Sequence, residues 1–251
     1  MDINMLKMFS AGSANDGNFK HLWLLGASLF INQINTLISS HTDYIFKIKD
    51  IADFSNDSQT LANIFSKNAS DKSTRHNYDI MYSYIINKIG VDKKFNLLEI
   101  GLGTNNPFLL STMGLGARPG ASLYAFKEYL ANANIYGADI DKTILFECER
   151  IKTSYVDQMD ISTFSLMAAN FGNIKFDLII DDGLHSLAAN LNTIIFALEY
   201  LNDGGWIVIE DIEPANIDNW VSIDYILSKK YETFIVKARH SYMYIIQKTI
   251  G

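Results

Sequence analysis

Cysteine is nearly absent from this chain: Cys148 is the single thiol in 251 residues. One cysteine cannot close an internal disulfide, and it cannot furnish the thiolates of a zinc site. With no basic-then-apolar leader ending in small residues, the expected setting is a reducing cytoplasm. Positive charge is also scarce, since 21 Lys and Arg stand against 28 Asp and Glu, for a net charge of −7 and a pI near 5.2. Phosphate backbones are held by clustered Lys and Arg, so no nucleic-acid partner is expected, and a neutral or cationic small molecule fits better. Long apolar runs are missing too. The strongest, His21 to Ile38, is broken by Asn32, Gln33 and Asn35. That is well short of the roughly 20 apolar residues of a membrane span, and it reads instead as a packing or oligomerisation helix. There is no internal repeat or low-complexity tract, and 48% hydrophobic with 20% charged residues is an ordinary globular composition.

What is present is organised around Asn96 to Asn105, NLLEIGLGTN. Leu97, Leu98, Glu99 and Ile100 suit a buried parallel strand. Gly101-Leu102-Gly103 suits a tight turn where backbone comes close to a ligand, and a side chain at either glycine would intrude on it. On that reading Gly101→Val abolishes ligand binding while leaving the protein folded. A dinucleotide fingerprint needs a third glycine where Asn106 stands, and a phosphate loop needs Gly-Lys-Ser/Thr, so neither an NAD enzyme nor a P-loop NTPase fits. Tyr124 and Lys127 are one residue too close for the Tyr-x-x-x-Lys pair of nucleotide-sugar dehydrogenases and epimerases.

Around that stretch, residues 1–17 read as a lead-in and Ser58 to Lys67 as a short helix capped by Ser58. Asp71 to Tyr78 leads into a helix with Tyr78, Met81, Tyr82, Ile85 and Ile89 on one face, and Lys72, His76 and Tyr78 there are candidates to touch the substrate. Thr104 to Pro119 shows no helix period, and a connection this long in a compact α/β unit is usually functional. Ala133 to Asp139 reads as a second strand, whose terminal Asp139 stands where an acid accepts ribose hydroxyls. Ile151 to Val156 reads as a third, followed by Asp157 and Gln158 placed to meet an adenine edge.

Phe176 to His185, FDLIIDDGLH, is a buried strand that delivers Asp181, Asp182 and His185 to the same rim. The next helix buries Leu187, Leu191, Ile194 or Ile195, and Leu198, and Asp203-Gly204-Gly205 stops it. Trp206 to Ile209 is then a fifth strand ending in Glu210 and Asp211. Neighbouring strands that each finish in paired carboxylates crowd like charge and raise each other's pKa values unless a cation intervenes. Oxygen ligands favour a hard ion such as Mg²⁺. His185, at a strand-to-helix turn three residues past Asp182, is the candidate base. A helix with Trp220, Ile223 and Leu227 follows, then strands Glu232 to Ala238 and Tyr242 to Lys248 joined by Arg239-His240-Ser241. The alternation predicts an α/β domain over 71–251 with seven strands, all but one parallel, and helices on both faces. Residues 1–70 are the expected helical appendage.

Glu99-x-Gly101-x-Gly103 resembles motif I of the class I S-adenosylmethionine-dependent methyltransferases, whose Rossmann-like sheet closes with such an antiparallel hairpin. Taken with Asp71-Lys72, His76, Tyr78, the Arg118 to Leu123 helix start, YGADID, DQMD, IIDDGLH and GGWIVIEDI, residues 70 to 250 resemble the metal-dependent sugar O-methyltransferases of the macrocin and mycinamicin type. The resemblance implies Asp182, Glu210 and Asp211 as Mg²⁺ ligands, although Glu210 stands where a second aspartate is expected. It implies His185 as general base beside Asp182, and Glu99, Gly101, Asp139, Asp157 and Gln158 around S-adenosylmethionine, with Gly103 and Asp181 grouped on that side. The acceptor implied is a sugar or nucleotide-sugar of a bacterial surface polysaccharide or secondary metabolite. Residues 1–70 would then shape the acceptor pocket or a homo-oligomer. The alternatives are a metal-independent small-molecule O- or N-methyltransferase and a non-catalytic methyltransferase-like subunit.

Overall fold

A computed structural model describes residues 30–54 and 57–249; the expected lead-in, and the first part of the helix expected from His21, lie outside them. The chain divides into two compact units. The smaller contains residues 30–46 and 215–226 of those described. In it α1 (residues 30–41) and α8 (Asn219–Leu227) are tied by polar groups. Asn35 Nδ2 donates to the Asp218 carbonyl at 2.7 Å, Ser222 Oγ donates to Asn35 Oδ1 at 2.5 Å, and the Tyr44 hydroxyl donates to Asp224. The asparagine that interrupts the apolar run is thus a helix-pairing residue. Among the described residues no helix is long and apolar enough to cross a membrane.

The larger unit is built on a nine-stranded sheet. In chain order the strands are β1 (Ile48–Asp50), β2 (Asn96–Ile100), β3 (Asn134–Asp139), β4 (Glu147–Cys148), β5 (Ile151–Tyr155), β6 (Phe176–Asp181), β7 (Leu201–Ile212), β8 (Glu232–Lys237) and β9 (Tyr242–Gln247). They lie in the order β1-β8-β9-β7-β6-β2-β3-β5-β4. The inner seven are those expected, with β9 antiparallel to β7 and β8 and the others parallel. The two additional strands are edge pieces, β1 parallel to β8 and β4 antiparallel to β5. They are too short to show a hydrophobic period, and they pair backbone that an edge would leave exposed.

Between the strands run α2 (Gln59–Lys67), α3 (Asp71–Thr74), α4 (Tyr78–Ile89), α5 (Ala121–Tyr129), α6 (Ile161–Asn170) and α7 (Leu187–Tyr200). Alternate strand residues Leu97, Leu178, Ile180, Trp206 and Val208 share one core with α2, α4 and α5. Leu98, Ile179, Ile207 and Ile209 are as deeply buried on the other face, where α7 packs on β6 and β7. Ile51, Phe54, Leu61 and Phe65 belong to the first core, so residues 47–54 and 57–70 fold with the larger unit and the expected boundary at 70 falls inside it.

Two local expectations are corrected. Ser58 occupies the N-cap position of α2, but its hydroxyl donates to Asp79 at 2.7 Å and makes no cap bond. Helix α7 buries Ala189, Asn190, Thr193, Ile194, Phe196 and Ala197, a face rotated from the expected leucines, and it ends at Tyr200 with Asp203 to Gly205 already inside β7.

Candidate functional site

The parallel strands β2, β3, β5, β6 and β7 finish level with one another, Ile100 opposite both Ala138 and Asp181, and Asp181 opposite Ile209. Residues that follow them line one cavity of about 1000 Å³. Gly101 and Gly103 have φ of +96 and +78, left-handed backbone that glycine adopts without strain. A Cβ on Gly101 would lie 2.0 Å from the Asp182 carbonyl oxygen. The space on the Cβ side of Gly101 is therefore filled by the Asp182–Gly183 backbone and not by a ligand. Gly101→Val would disrupt the strand-end packing, contrary to the expectation of a folded, non-binding variant. At Gly103 a Cβ would meet Met113 Sδ at 2.6 Å, the end of a side chain that can move.

On one side of the cavity stand Asp139, Asp157 and Gln158. Asp139 accepts the Leu102 N–H at 2.7 Å and the Asp141 N–H at 2.8 Å, which fixes the glycine turn to the second strand end; burial nonetheless raises its pKa. Gln158 Nε2 donates to Asp181 Oδ1 at 2.8 Å and Thr193 Oγ1 at 2.9 Å, and its side-chain oxygen Oε1 accepts the Leu184 N–H at 2.7 Å. Asp181 is fully buried, takes a further hydrogen bond from Asn190 at 3.1 Å, and lies behind the cavity wall. Its burial pushes its pKa up against those hydrogen bonds. Asp181 therefore holds Gln158 and the turn at Gly183 in place. Asn190 and Thr193 were not anticipated; two polar residues three apart in an apolar helix were the signal. Glu99 is likewise fully buried off the cavity, accepting from Ser122 Oγ at 2.5 Å. The long connection expected to be functional does face the cavity, through Thr104 and Phe108 to Met113.

On the other side are Asp182, His185, Glu210 and Asp211. His185 and Asp211 have φ of 55 and 53, a conformation that costs a non-glycine residue about 1–3 kcal/mol and concentrates at functional sites. Each aspartate has one oxygen held and one presented. Asp182 Oδ2 accepts from Lys72 Nζ at 2.7 Å, while Oδ1 is 3.9 Å from His185 Nε2. Asp211 Oδ1 accepts from Tyr78 at 2.5 Å and Ser241 at 3.1 Å, while Oδ2 is 3.9 Å from the same Nε2. Burial would raise the Asp211 pKa, but the Tyr78 hydrogen bond and the His76 and His185 imidazoles prevail and lower it. Donor atoms of Asp182, His185 and Asp211 all lie within 4.8 Å of one another.

Glu210 lines the cavity, yet it is 1% exposed, with both oxygens 2.8 Å from Lys72 Nζ and Oε1 accepting from Tyr82. Burial, then Asp182, raises its pKa well above the carboxylate range. The geometry thus gathers His185, and not Glu210, with the two aspartates. Of the three residues expected at the substrate, His76 lines the cavity, stacked on Tyr78 with ring centroids 4.7 Å apart. Lys72 and Tyr78 lie beneath the carboxylates they hold.

No protein-family model matches the chain. Among curated proteins it is 30% identical over 156 residues to 8-demethyl-8-alpha-L-rhamnosyl tetracenomycin-C 2'-O-methyltransferase of Streptomyces olivaceus, covering 62% of this chain and 38% of that protein. It is 37% identical over 97 residues to demethylmacrocin O-methyltransferase of Streptomyces fradiae, covering 38% of this chain and 24% of that protein. Among solved structures it resembles the MycE methyltransferase of the mycinamycin biosynthetic pathway, in complex with Mg and SAH. The TM-score is 0.60 at 22% identity, over 75% of this chain and 55% of that one. The sheet is that of a class I methyltransferase. Within that class, the chain's sequence relatives are sugar O-methyltransferases of the macrocin and mycinamicin type. The chain spans 24 to 38% of the length of these two curated relatives.

Proposed function

We propose that this chain is an S-adenosylmethionine-dependent O-methyltransferase that modifies a hydroxyl of a sugar-containing small molecule, with a divalent ion such as Mg²⁺ held by Asp182 and Asp211. The observation that carries the reading is the meeting, in one cavity, of the Gly103, Asp139 and Gln158 wall with the presented oxygens of two aspartates and the His185 imidazole. The donor set fits the ion, since Asp182 and Asp211 offer carboxylate oxygens and no thiolate is present. The glycine turn and the polar strand ends fit a nucleoside, and MycE, of the same fold, is in complex with Mg and SAH. When bound, the cofactor would supply an electrophilic methyl group, and an ion held by Asp182 and Asp211 would supply Lewis acidity toward an acceptor hydroxyl.

The chain's own residues do the rest. His185 Nδ1 is buried without a hydrogen-bond partner, so Nε2 is the nitrogen that faces the two carboxylates, and it takes the proton of the acceptor hydroxyl. Tyr78 keeps Asp211 oriented and ionised, Ser241 helps to orient it, and Lys72 orients Asp182. Among the described residues carboxylates outnumber the one guanidinium, Arg75, along the cavity, which disfavours a nucleotide-sugar diphosphate and favours a neutral or cationic sugar such as that of a glycosylated secondary metabolite. Methyl transfer from labelled S-adenosylmethionine to a panel of glycosides, with Mg²⁺ and with EDTA, tests this. Chelator should stop turnover and Mg²⁺ restore it. Full turnover in EDTA would favour metal-independent transfer, and no calorimetric binding of S-adenosylmethionine would end the reading.

A further inference from the structure

Lys72 has no part in proton or methyl transfer, yet its ammonium meets carboxylates from three strand ends. Asp182 Oδ2 is at 2.7 Å, both Glu210 oxygens at 2.8 Å and Glu99 Oε1 at 3.1 Å, while the lysine is 2% exposed. Burying an ammonium is costly, and a single partner would satisfy a merely structural ion pair. Here one ammonium donates to Asp182 and to both oxygens of Glu210, and Glu99 stands beside it as a third acid in ion-pair contact. The lysine is delivered by α3, whose first turn is capped by Ser70 Oγ and which packs on α2. Glu99 and Lys72 lie behind the cavity wall, whereas Asp182, His185 and Asp211 face the cavity.

We propose that Lys72 is a built-in cation that fills the inner half of the acidic cluster and so confines a divalent ion to the cleft side, between Asp182, Asp211 and His185. This rests on the metal site of the functional reading above. Without the ammonium, Glu99, Asp182 and Glu210 would form a deeper pocket of three acids. A divalent ion drawn to those acids would rest out of reach of the acceptor. Lys72 is therefore a positioning residue: it touches no substrate, and its fixed charge decides where the ion rests.

Mn²⁺ binding to the full chain, by calorimetry and electron paramagnetic resonance, tests this in wild type, Lys72→Met and Lys72→Ala, with circular dichroism to confirm folding. The uncharged Lys72→Met should bind Mn²⁺ at least about tenfold more tightly, as removal of a nearby positive charge requires. Its kcat should fall about 10²-fold through misplacement, at unchanged KM for S-adenosylmethionine. Propylammonium, and not 1-propanol, should return Lys72→Ala to wild-type Mn²⁺ affinity and restore turnover. Unchanged or weaker Mn²⁺ affinity in folded Lys72→Met would overturn the proposal, as would rescue of Lys72→Ala by propanol as well as propylammonium. A wild-type chain that binds no Mn²⁺ would instead remove the metal reading, and this proposal with it.

Discussion

Gly101 and Gly103 stand two residues apart in one turn, yet the same substitution should have different consequences at each. Gly101→Ala forces a side chain into φ +96 and places its Cβ 2.0 Å from the Asp182 carbonyl oxygen. The backbone conformation costs about 1–3 kcal/mol. The overlap adds about 1–3 kcal/mol, because Asp182 is pinned: its N–H donates to the Ile100 carbonyl at 2.8 Å, and the Gly101 N–H donates to Ala138 at 2.8 Å. A loss of about 2–6 kcal/mol is a large share of the 5–15 kcal/mol typical of a domain, and it should lower the melting temperature by roughly 5–20 °C. Relief of the clash must move Asp182 and, three residues on, His185, so kcat should fall about 10²-fold in whatever protein remains folded. Gly103→Ala carries the backbone strain but meets only Met113 Sδ, so it should cost about 1–3 kcal/mol and weaken S-adenosylmethionine binding more than it weakens the fold. Thermal unfolding and calorimetric titration of both variants check this. A Gly101→Ala protein that melts within about 2 °C of wild type and turns over normally would refute the close approach and the reasoning built on it.

His185→Ala should lower kcat by about 10² or more with KM for S-adenosylmethionine unchanged, the usual loss of a positioned base, and near-normal turnover would leave the residue structural. Asp182→Asn should weaken Mn²⁺ binding far more than Glu210→Gln, because the Glu210 oxygens are held by Lys72 and Tyr82; equal losses in titration would make Glu210 a ligand. Burial holds the His76 pKa below its ordinary 6.5 against the pull of Asp211 and Asp71. The neutral imidazole is the form the fold prefers, so its contribution to stability is full above about pH 6.5 and fades as pH falls through the lowered folded value. Wild type should therefore lose stability relative to His76→Asn between about pH 7 and 5, and parallel urea midpoints across that range would count against it.

The seven inner strands, their order of use and the acids at their ends were legible in the chain because each is a local property. A run such as Leu97 to Ile100 or Phe176 to Asp181 needs burial on both faces, and the residue after it must turn. The long connection after Gly103 was legible for the same reason, by lacking any period. The edge strands β1 and β4 were not, since three and two residues carry no period. Nor was the buried face of α7, where Asn190 and Thr193 are drawn inward by Asp181 and Gln158. Composition and pattern could place four carboxylates at two neighbouring strand ends, but not say which of them share a ligand. Successive side chains on a strand point to opposite faces, so adjacent acids diverge. Glu210 turns in to Lys72 and Tyr82, and Asp211 turns to the cleft with Tyr78, Ser241 and His185 around it. Asp181 turns in to Gln158 and Asn190, and Asp182 turns out. That the acids alternate is written in the sequence; which member of each pair presents an oxygen beside His185 depended on sheet register and on a lysine 110 residues upstream of Asp182, and only the packed tertiary structure brings those together.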